Sequence, residues 1–320
     1  MTQGPAVETT DLTKRYGDFT AVDSLNLTIN EGELFGLLGP NGAGKTTTVL
    51  MLLGLTEPTS GSCKVCGHDP FRSPLKVKSL TGYLAERMGV YEDLTPEQNL
   101  RYILKLNGVP ESEMRQRVED ALRVVGATDY SQLKVGKLSR GMRQRVGIAG
   151  VLVKKPKLAI FDEPTQGLDP EGSRELLDLF KHMSKEEKIT ILLLSHLLHD
   201  VQQICDRIGM MISGKLVAQG TIDELRAKRG EKWVIDVEAR EIHQALLEKL
   251  SGLHGVDKVE RLGNVVTAEC QRDLRSEILE VFIHNRGQPL NLRARERTLD
   301  DIYMEYLKEN PSWSERAKSF

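Results

Sequence analysis

Gly39-Pro40-Asn41-Gly42-Ala43-Gly44-Lys45-Thr46 fits the phosphate-loop pattern G-x-x-x-x-G-K-[ST] at every fixed position. The apolar run Leu34-Phe35-Gly36-Leu37-Leu38 ahead of it predicts a buried strand. Behind it, Thr47 to Leu53 carry helix-compatible apolar spacing and stop at Gly54. Strand, glycine loop and helix start together turn a string match into a site. Glycines let the backbone aim its N–H groups at a phosphate, and the helix start adds positive potential. In such a loop Lys45 reaches the β- and γ-phosphates and Thr46 offers its hydroxyl to Mg²⁺. The stretch predicts a nucleoside triphosphate site.

The chain has 320 residues, enough for one large or two medium domains. Hydrophobic residues at 39% and charged residues at 28% suit a globular protein with a real core. A net charge of −2 supplies no broad basic field, so no nucleic-acid partner is expected. The longest apolar-rich run, Ile189 to Leu194, is far short of the ~20 residues a membrane-spanning helix needs. No charged-then-apolar leader opens the chain, and four cysteines do not suggest a disulfide framework. The cytoplasm is the expected location.

Val7 to Tyr16 and Ser24 to Ile29 alternate in polarity around the turn-like Tyr16-Gly17-Asp18, predicting an antiparallel N-terminal subdomain. Tyr16 reads either as a strand-packing residue or as an aromatic that stacks on a base. Ser62 to Val65 resumes strand character. Cys63 and Cys66 form C-x-x-C with His68 behind, but no second cysteine pair completes a zinc set, so a plain hairpin is expected. Thr95-Pro96-Glu97-Gln98 is a helix start with a capping box, and Gly108 ends that helix. Met114, Val118, Ala121, Leu122 and Val125 share one face of the next helix, which Gly126 stops.

Leu158 to Asp162 predicts an apolar strand ending in a carboxylate placed to hold Mg²⁺. Glu163 follows as a candidate general base. Asp169-Pro170 caps a helix over Glu171 to Met183, and the strand Ile189 to Leu194 delivers Ser195-His196 to the same sheet edge. His196 there faces the ligand crevice.

Leu138-Ser139-Arg140-Gly141-Met142-Arg143-Gln144-Arg145 resembles the L-S-G-G-Q signature of ATP-binding cassette ATPases. It falls between the helical insertion and the Asp162 strand, as that family requires. With the phosphate loop, Asp162-Glu163, Gly167-Leu168-Asp169 and His196 in order, the resemblance covers about residues 5 to 225. It implies two cassettes packed head to tail, identical or paralogous, each ATP lying between one phosphate loop and the other subunit's signature. Gly39, Pro40, Asn41, Gly42, Ala43, Gly44, Lys45, Thr46 and Thr47 would hold the nucleotide, and Ser139 and Gly141 would meet the partner's γ-phosphate. Tyr16 matches the adenine-stacking aromatic, Glu163 the catalytic base, His196 the switch histidine and Asp169 the link between the two sites.

Arg140 and Met142 replace the first glycine and the glutamine of the usual signature, and Gln166 stands where serine is common. Glu86 closes Gly82-Tyr83-Leu84-Ala85-Glu86, where glutamine is usual. With Met88 to Thr95 after it, this loop resembles the cassette subunits of bacterial and archaeal exporters that pair with a separate permease. Glu86 is expected to reach Mg²⁺ only when ATP and the ion are both present.

Trp233 to Val237, Val256 to Arg261 and Asn264 to Ala268 predict strands, and Glu241 to Leu250 and Leu274 to His284 predict helices. Leu299, Ile302, Tyr306 and Leu307 make a last apolar face after the cap Thr298. Arg286, Arg293, Arg295 and Arg297 read as a solvated face. The expected fold is an α/β P-loop NTPase core with a mixed sheet, an antiparallel N-terminal subdomain and a helical insertion. Its domains are a cassette ATPase at 1–225 (insertion about 86–152), an α+β accessory domain at 226–310 and a mobile tail at 311–320. The expected function is to bind and hydrolyse ATP, driving export through a separate membrane permease from the inner face of the membrane. The alternative is a soluble cassette ATPase acting on ribosomes or nucleic acid, but such relatives usually carry two cassettes or a long coiled coil. A P-loop kinase would leave Ser139 to Arg145 and His196 without a role.

Overall fold

Strand β1 (Val7–Tyr16) turns at Gly17, φ +57°, and Asp18 into β2 (Phe19–Leu25), so that Tyr16 pairs with Phe19. The computed structural model describes residues 4–86, 89–228, 233–296 and 298–310. Where the sequence suggested one strand from Ser24 to Ile29, β2 starts at Phe19 and a separate β3 (Thr28–Ile29) follows. Asn26 makes the break: its amide donates to Asp11 Oδ1 at 2.9 Å and its carbonyl accepts from the Asp11 N–H at 3.0 Å. Next come β4 (Leu34–Leu38), α1 (Lys45–Leu52) and β5 (Ser60–Val65). Strand β1 pairs antiparallel with β2, β3 and β5, forming the N-terminal sheet. Cys63 is buried on β5 and Cys66 sits in the following turn at φ +49°; burial pushes the Cys63 thiol up to about 12.

After α2 (Pro74–Leu80) and β6 (Thr81–Leu84) comes the helical insertion: α3 (Pro96–Leu106), α4 (Glu111–Val124) and α5 (Arg140–Leu152). Thr95 and Gln98 form the expected capping box, with Thr95 Oγ1 accepting from the Gln98 N–H at 3.2 Å and Gln98 Oε1 from the Thr95 N–H at 2.9 Å. Helix α4 buries Met114, Val118, Ala121 and Leu122, and Gly126 follows at φ +66°. The chain returns through β7 (Leu158–Asp162), α6 (Pro170–Lys185), β8 (Thr190–Ser195), α7 (Leu198–Ile204), β9 (Arg207–Ile212) and β10 (Lys215–Gly220).

These strands order as β10-β9-β4-β8-β7-β6, all parallel except β10 at one edge. Every residue of β4, β7 and β8 is buried, as parallel strands covered on both faces must be. Fully burying each large apolar side chain contributes about 1.5–3 kcal/mol. Phe161 of β7 packs on Phe180 of α6 with ring centroids 4.5 Å apart. Register fixes the functional edge: Leu38 lies beside Ser195, and Asp162 beside Leu194. The loops leaving β4, β7 and β8 therefore emerge together.

This first compact unit runs to Thr221, and Ile222–Glu309 forms a second. The second contains α8 (Ile222–Lys228), β11 (Trp233–Ala239), α9 (Gln244–Ser251), β12 (Val256–Leu262), β13 (Val265–Cys270), α10 (Arg275–His284), β14 (Pro289–Glu296) and α11 (Leu299–Glu309). Its antiparallel sheet, ordered β12-β13-β11-β14, packs Ile235, Val237 and Val266 against Leu246, Leu250, Ile278 and Phe282. Thr298 Oγ1 accepts from the Asp301 N–H at 3.3 Å at the start of α11. Strand β14 was not anticipated, and it corrects the reading of its arginines. Arg295 pairs with Asp301 and stands 3.6 Å from Asp236 on β11, so it joins helix to sheet; Arg286 and Arg293 are exposed. Arg297, Met88 and the tail from Pro311 lie outside the described residues.

Candidate active site

Phe19, Ala21, Pro40 to Thr47, Glu86, Asp162 and Glu163 line a cavity of about 330 Å³. Its floor is the loop between β4 and α1, whose shape demands glycine at two points. A Cβ on Gly39 would meet the Met211 carbonyl oxygen at 2.3 Å, and one on Gly44 (φ +103°) would meet the Ala21 carbonyl oxygen at 2.4 Å. Only glycine lets the backbone pass that close.

Lys45, the first residue of α1, turns its ammonium back to the loop. It donates to the carbonyl of Gly39, lies 3.4 Å from that of Pro40, and stands 3.5 Å from Glu163 Oε1. Burial holds its pKa below the usual lysine range, against the opposing pull of Glu163 and Asp162. Thr46 Oγ1 donates to Asp162 Oδ2 at 3.0 Å, and the Tyr83 hydroxyl reaches the same oxygen at 3.4 Å. Burial raises the Asp162 pKa; the Thr46 hydrogen bond and Lys45 oppose this, while Glu163 and Glu86 add to it. The Tyr83 phenol is pushed up to about 12, first by burial and then by Asp162.

Glu163 sits just past β7 at φ +50°, a conformation that strains any residue but glycine. Its Oε2 is 2.8 Å from His196 Nδ1, while its buried Oε1 has no hydrogen-bond partner. Glu86, Asp162 and Glu163 line the cavity, and among the described lining residues Lys45 is the one ammonium. No three of these carboxylates draw together into a metal cluster, so Thr46 Oγ1 and the Asp162 carboxylate are the paired oxygens. Such a donor set of carboxylate and hydroxyl oxygens fits a hard divalent cation.

Other sequence-predicted residues stand apart from the cavity lining. Tyr16 is half exposed, with Lys14 Nζ 4.9 Å above its ring. Ser139 caps α5 by accepting from the Met142 N–H at 3.2 Å, and is exposed. Arg140 donates to the Gln166 carbonyl at 2.6 Å and covers Gly167, while Gly141 follows in the first turn. Asp169 caps α6 through the Gly172 N–H at 2.7 Å. Sequence reasoning missed Phe19 and Tyr83. The first is legible only through its pairing with Tyr16, the second only once β6 lies beside β7.

A family described as ABC transporter matches residues 22–166. The bacitracin transport ATP-binding protein BcrA of Bacillus licheniformis is 34% identical over 303 residues, spanning 94% of this chain and 97% of its own. This chain belongs to the ABC transporter family. The linearmycin resistance ATP-binding protein LnrL of Bacillus subtilis is 32% identical over 92% of this chain and 96% of its own. Among solved structures, cbiO1 from Clostridium perfringens, part of the transporter complex cbiONQ, matches with TM-score 0.66 and 31% identity over 71% of this chain and 92% of that one. A dimeric cassette bound to ADP and phosphate shares the fold at TM-score 0.60 and 24% identity, over 67% of this chain and 98% of that one. As an ATP-binding cassette subunit, the chain binds ATP and is an ATPase. The ribosome and nucleic-acid alternative finds no support among these relatives. Among the described residues no helix is long and apolar enough to cross a membrane.

Proposed function

We propose that two cassettes, two copies of this chain or one with a paralogue, close head to tail on two ATP molecules and reopen on hydrolysis. Their movement drives export through a separate permease, with the cassettes on the inner face of the membrane. The unit ending at Thr221 would carry the ATPase and the unit Ile222–Glu309 an accessory role, with the boundary a few residues before the expected 225 because α8 starts at Ile222. Relatives named for bacitracin transport and linearmycin resistance support the export reading.

Thr46 and Asp162, joined by Glu86 once nucleotide is bound, would hold Mg²⁺, which supplies charge compensation for the triphosphate oxygens. Lys45 neutralises the phosphates from the loop side, and the N–H groups of Gly39 to Thr47 orient them. Tyr16 stacks on the base. Ser139 and Gly141 of the facing copy contact the γ-phosphate, and Asp169 links the two sites. Glu163 takes the proton of the attacking water while His196 fixes its other oxygen. The observation that carries this reading is Glu163 Oε1, buried and without a hydrogen-bond partner, beside an Oε2 that His196 already occupies. His196 holds one carboxylate oxygen; the other makes no hydrogen bond and lies 3.5 Å from the Lys45 ammonium, which would turn to the phosphates when nucleotide binds and leave that oxygen to the water.

Sedimentation of the Glu163→Gln variant tests the assembly. With ATP and Mg²⁺ it should run as a dimer, and with EDTA as a monomer. A monomer at saturating ATP and Mg²⁺ would overturn the two-cassette reading.

A further inference from the structure

Asp200 is a buried carboxylate that does not line the nucleotide cavity. It lies on α7, four residues after His196, and is 8% exposed. Its Oδ2 accepts a 2.6 Å hydrogen bond from Thr165 Oγ1, itself 4% exposed. A charge withdrawn that far from water is unfavourable unless well hydrogen-bonded, and an O–H···O⁻ bond of this length is a strong one. Its location gives it a purpose. Thr165 follows Glu163 by two residues, and Glu163 holds the left-handed φ of +50°. Such a backbone persists only where its surroundings over-determine it.

On the near side, the Glu163 N–H donates to the Leu194 carbonyl at 3.0 Å, and the Gln166 N–H returns to the Glu163 carbonyl at 3.2 Å. Further along, the Leu168 N–H bonds the Thr165 carbonyl at 3.1 Å. Thr165 ties this turn through its side chain to α7. Two bridges therefore span the loop after β7 and the segment after β8: Glu163 to His196 at 2.8 Å, and Thr165 to Asp200 at 2.6 Å.

We propose that Asp200 is a positioning residue that, through Thr165, pins the strained turn at Glu163 and keeps Glu163 aligned with His196. The proposal rests on the reading of Glu163 as the base. Nucleotide binding depends on the loop before α1, so losing the Thr165–Asp200 bridge lowers turnover and spares ATP affinity. Small misplacements of a catalytic group reduce rates by one to two orders of magnitude.

The test is steady-state ATP hydrolysis by the full chain, with kcat and KM resolved separately, for Thr165→Val, Thr165→Ser and Asp200→Asn. Thr165→Val keeps the shape and removes the hydroxyl; its kcat should fall about tenfold with KM within about twofold. Thr165→Ser restores the donor and should recover kcat, which relief of a packing defect would not predict. Asp200→Asn keeps the shape and weakens the acceptor, and should lower kcat in the same direction; it carries the test if Thr165→Val does not fold. Undiminished kcat in Thr165→Val and Asp200→Asn would overturn the proposal, as would Thr165→Ser no more active than Thr165→Val. Near-normal turnover in Glu163→Gln would instead remove the base assignment on which the proposal stands.

Discussion

The Thr46 hydroxyl donates to Asp162 Oδ2 at 3.0 Å, joining the first turn of α1 to the end of β7 across 116 residues. With Tyr83 at the same oxygen, Asp162 is hydrogen-bonded, yet burial still holds its pKa above the usual aspartate value of 3.8. The folded protein thus binds that proton more tightly than the unfolded chain. The resulting stabilisation is complete below pH 3.8 and is lost as pH rises through the raised value.

Asp162→Asn keeps an acceptor for Thr46 and removes the charge. Without nucleotide it should melt higher than the wild type at pH 7. Its ATPase activity should be lost. Thermal unfolding of both proteins from pH 4 to 7 checks this. The wild type should lose stability relative to the variant as pH rises, and a constant difference would contradict the assignment.

Two glycines of the phosphate loop separate strain from collision. At Gly42, φ is +78° and nothing lies within 4 Å of a built Cβ, so Gly42→Ala should destabilise by about 1 kcal/mol through backbone strain alone. Gly44→Ala adds a clash with the Ala21 carbonyl at 2.4 Å. It should cost about 3 kcal/mol or more and abolish ATP binding. Chemical denaturation with isothermal titration of ATP distinguishes the two, and equal effects would mean the loop relaxes freely.

Tyr16 and Phe19 face each other across the hairpin turn, with Phe19 on the cavity wall. If both rings serve the base, Tyr16→Ala and Phe19→Ala should each weaken ATP binding about three- to tenfold, the value of an aromatic stack. Affinity for inorganic triphosphate should not change. Parallel titrations with the two ligands measure this, and an equal loss for both would place the rings in the fold alone.

Glu86 lines the cavity, and its charge adds to the raised pKa of Asp162. Glu86→Gln should leave ATP affinity within a few-fold. Glu86→Ala should spare basal binding and weaken stimulation of hydrolysis by the permease. ATPase rates with and without reconstituted permease check this, and full stimulation in Glu86→Ala would reduce Glu86 to a solvated loop acid.

The contiguous part of the site was legible in the sequence, because backbone requirements there are local. Gly39 to Thr46, the apolar strand ending at Asp162, and Ser195-His196 each declare themselves by spacing. What stayed hidden depends on which strands become neighbours. Tyr83 meets Asp162 only because β6 pairs with β7, and Thr165 meets Asp200 only because the β7 and β8 loops emerge side by side. Strand β14 was masked by its arginines: Leu290, Leu292 and Ala294 alternate properly, but Arg295 looks solvent-bound until Asp236 and Asp301 close on it. Near the start, the polarity pattern points to one strand from Ser24 to Ile29, whereas β2 ends at Leu25, because the break at Asn26 depends on Asp11 of β1.

The central claim is that Glu163 is the base for ATP hydrolysis, and turnover by Glu163→Gln measures it most directly. Glutamine keeps the size and a hydrogen bond for His196 but cannot accept the proton of water. The variant should bind ATP as the wild type does and hydrolyse it at least ~10²-fold more slowly, as expected for loss of a general base. Hydrolysis within a few-fold of wild type, with ATP binding unchanged, would contradict it.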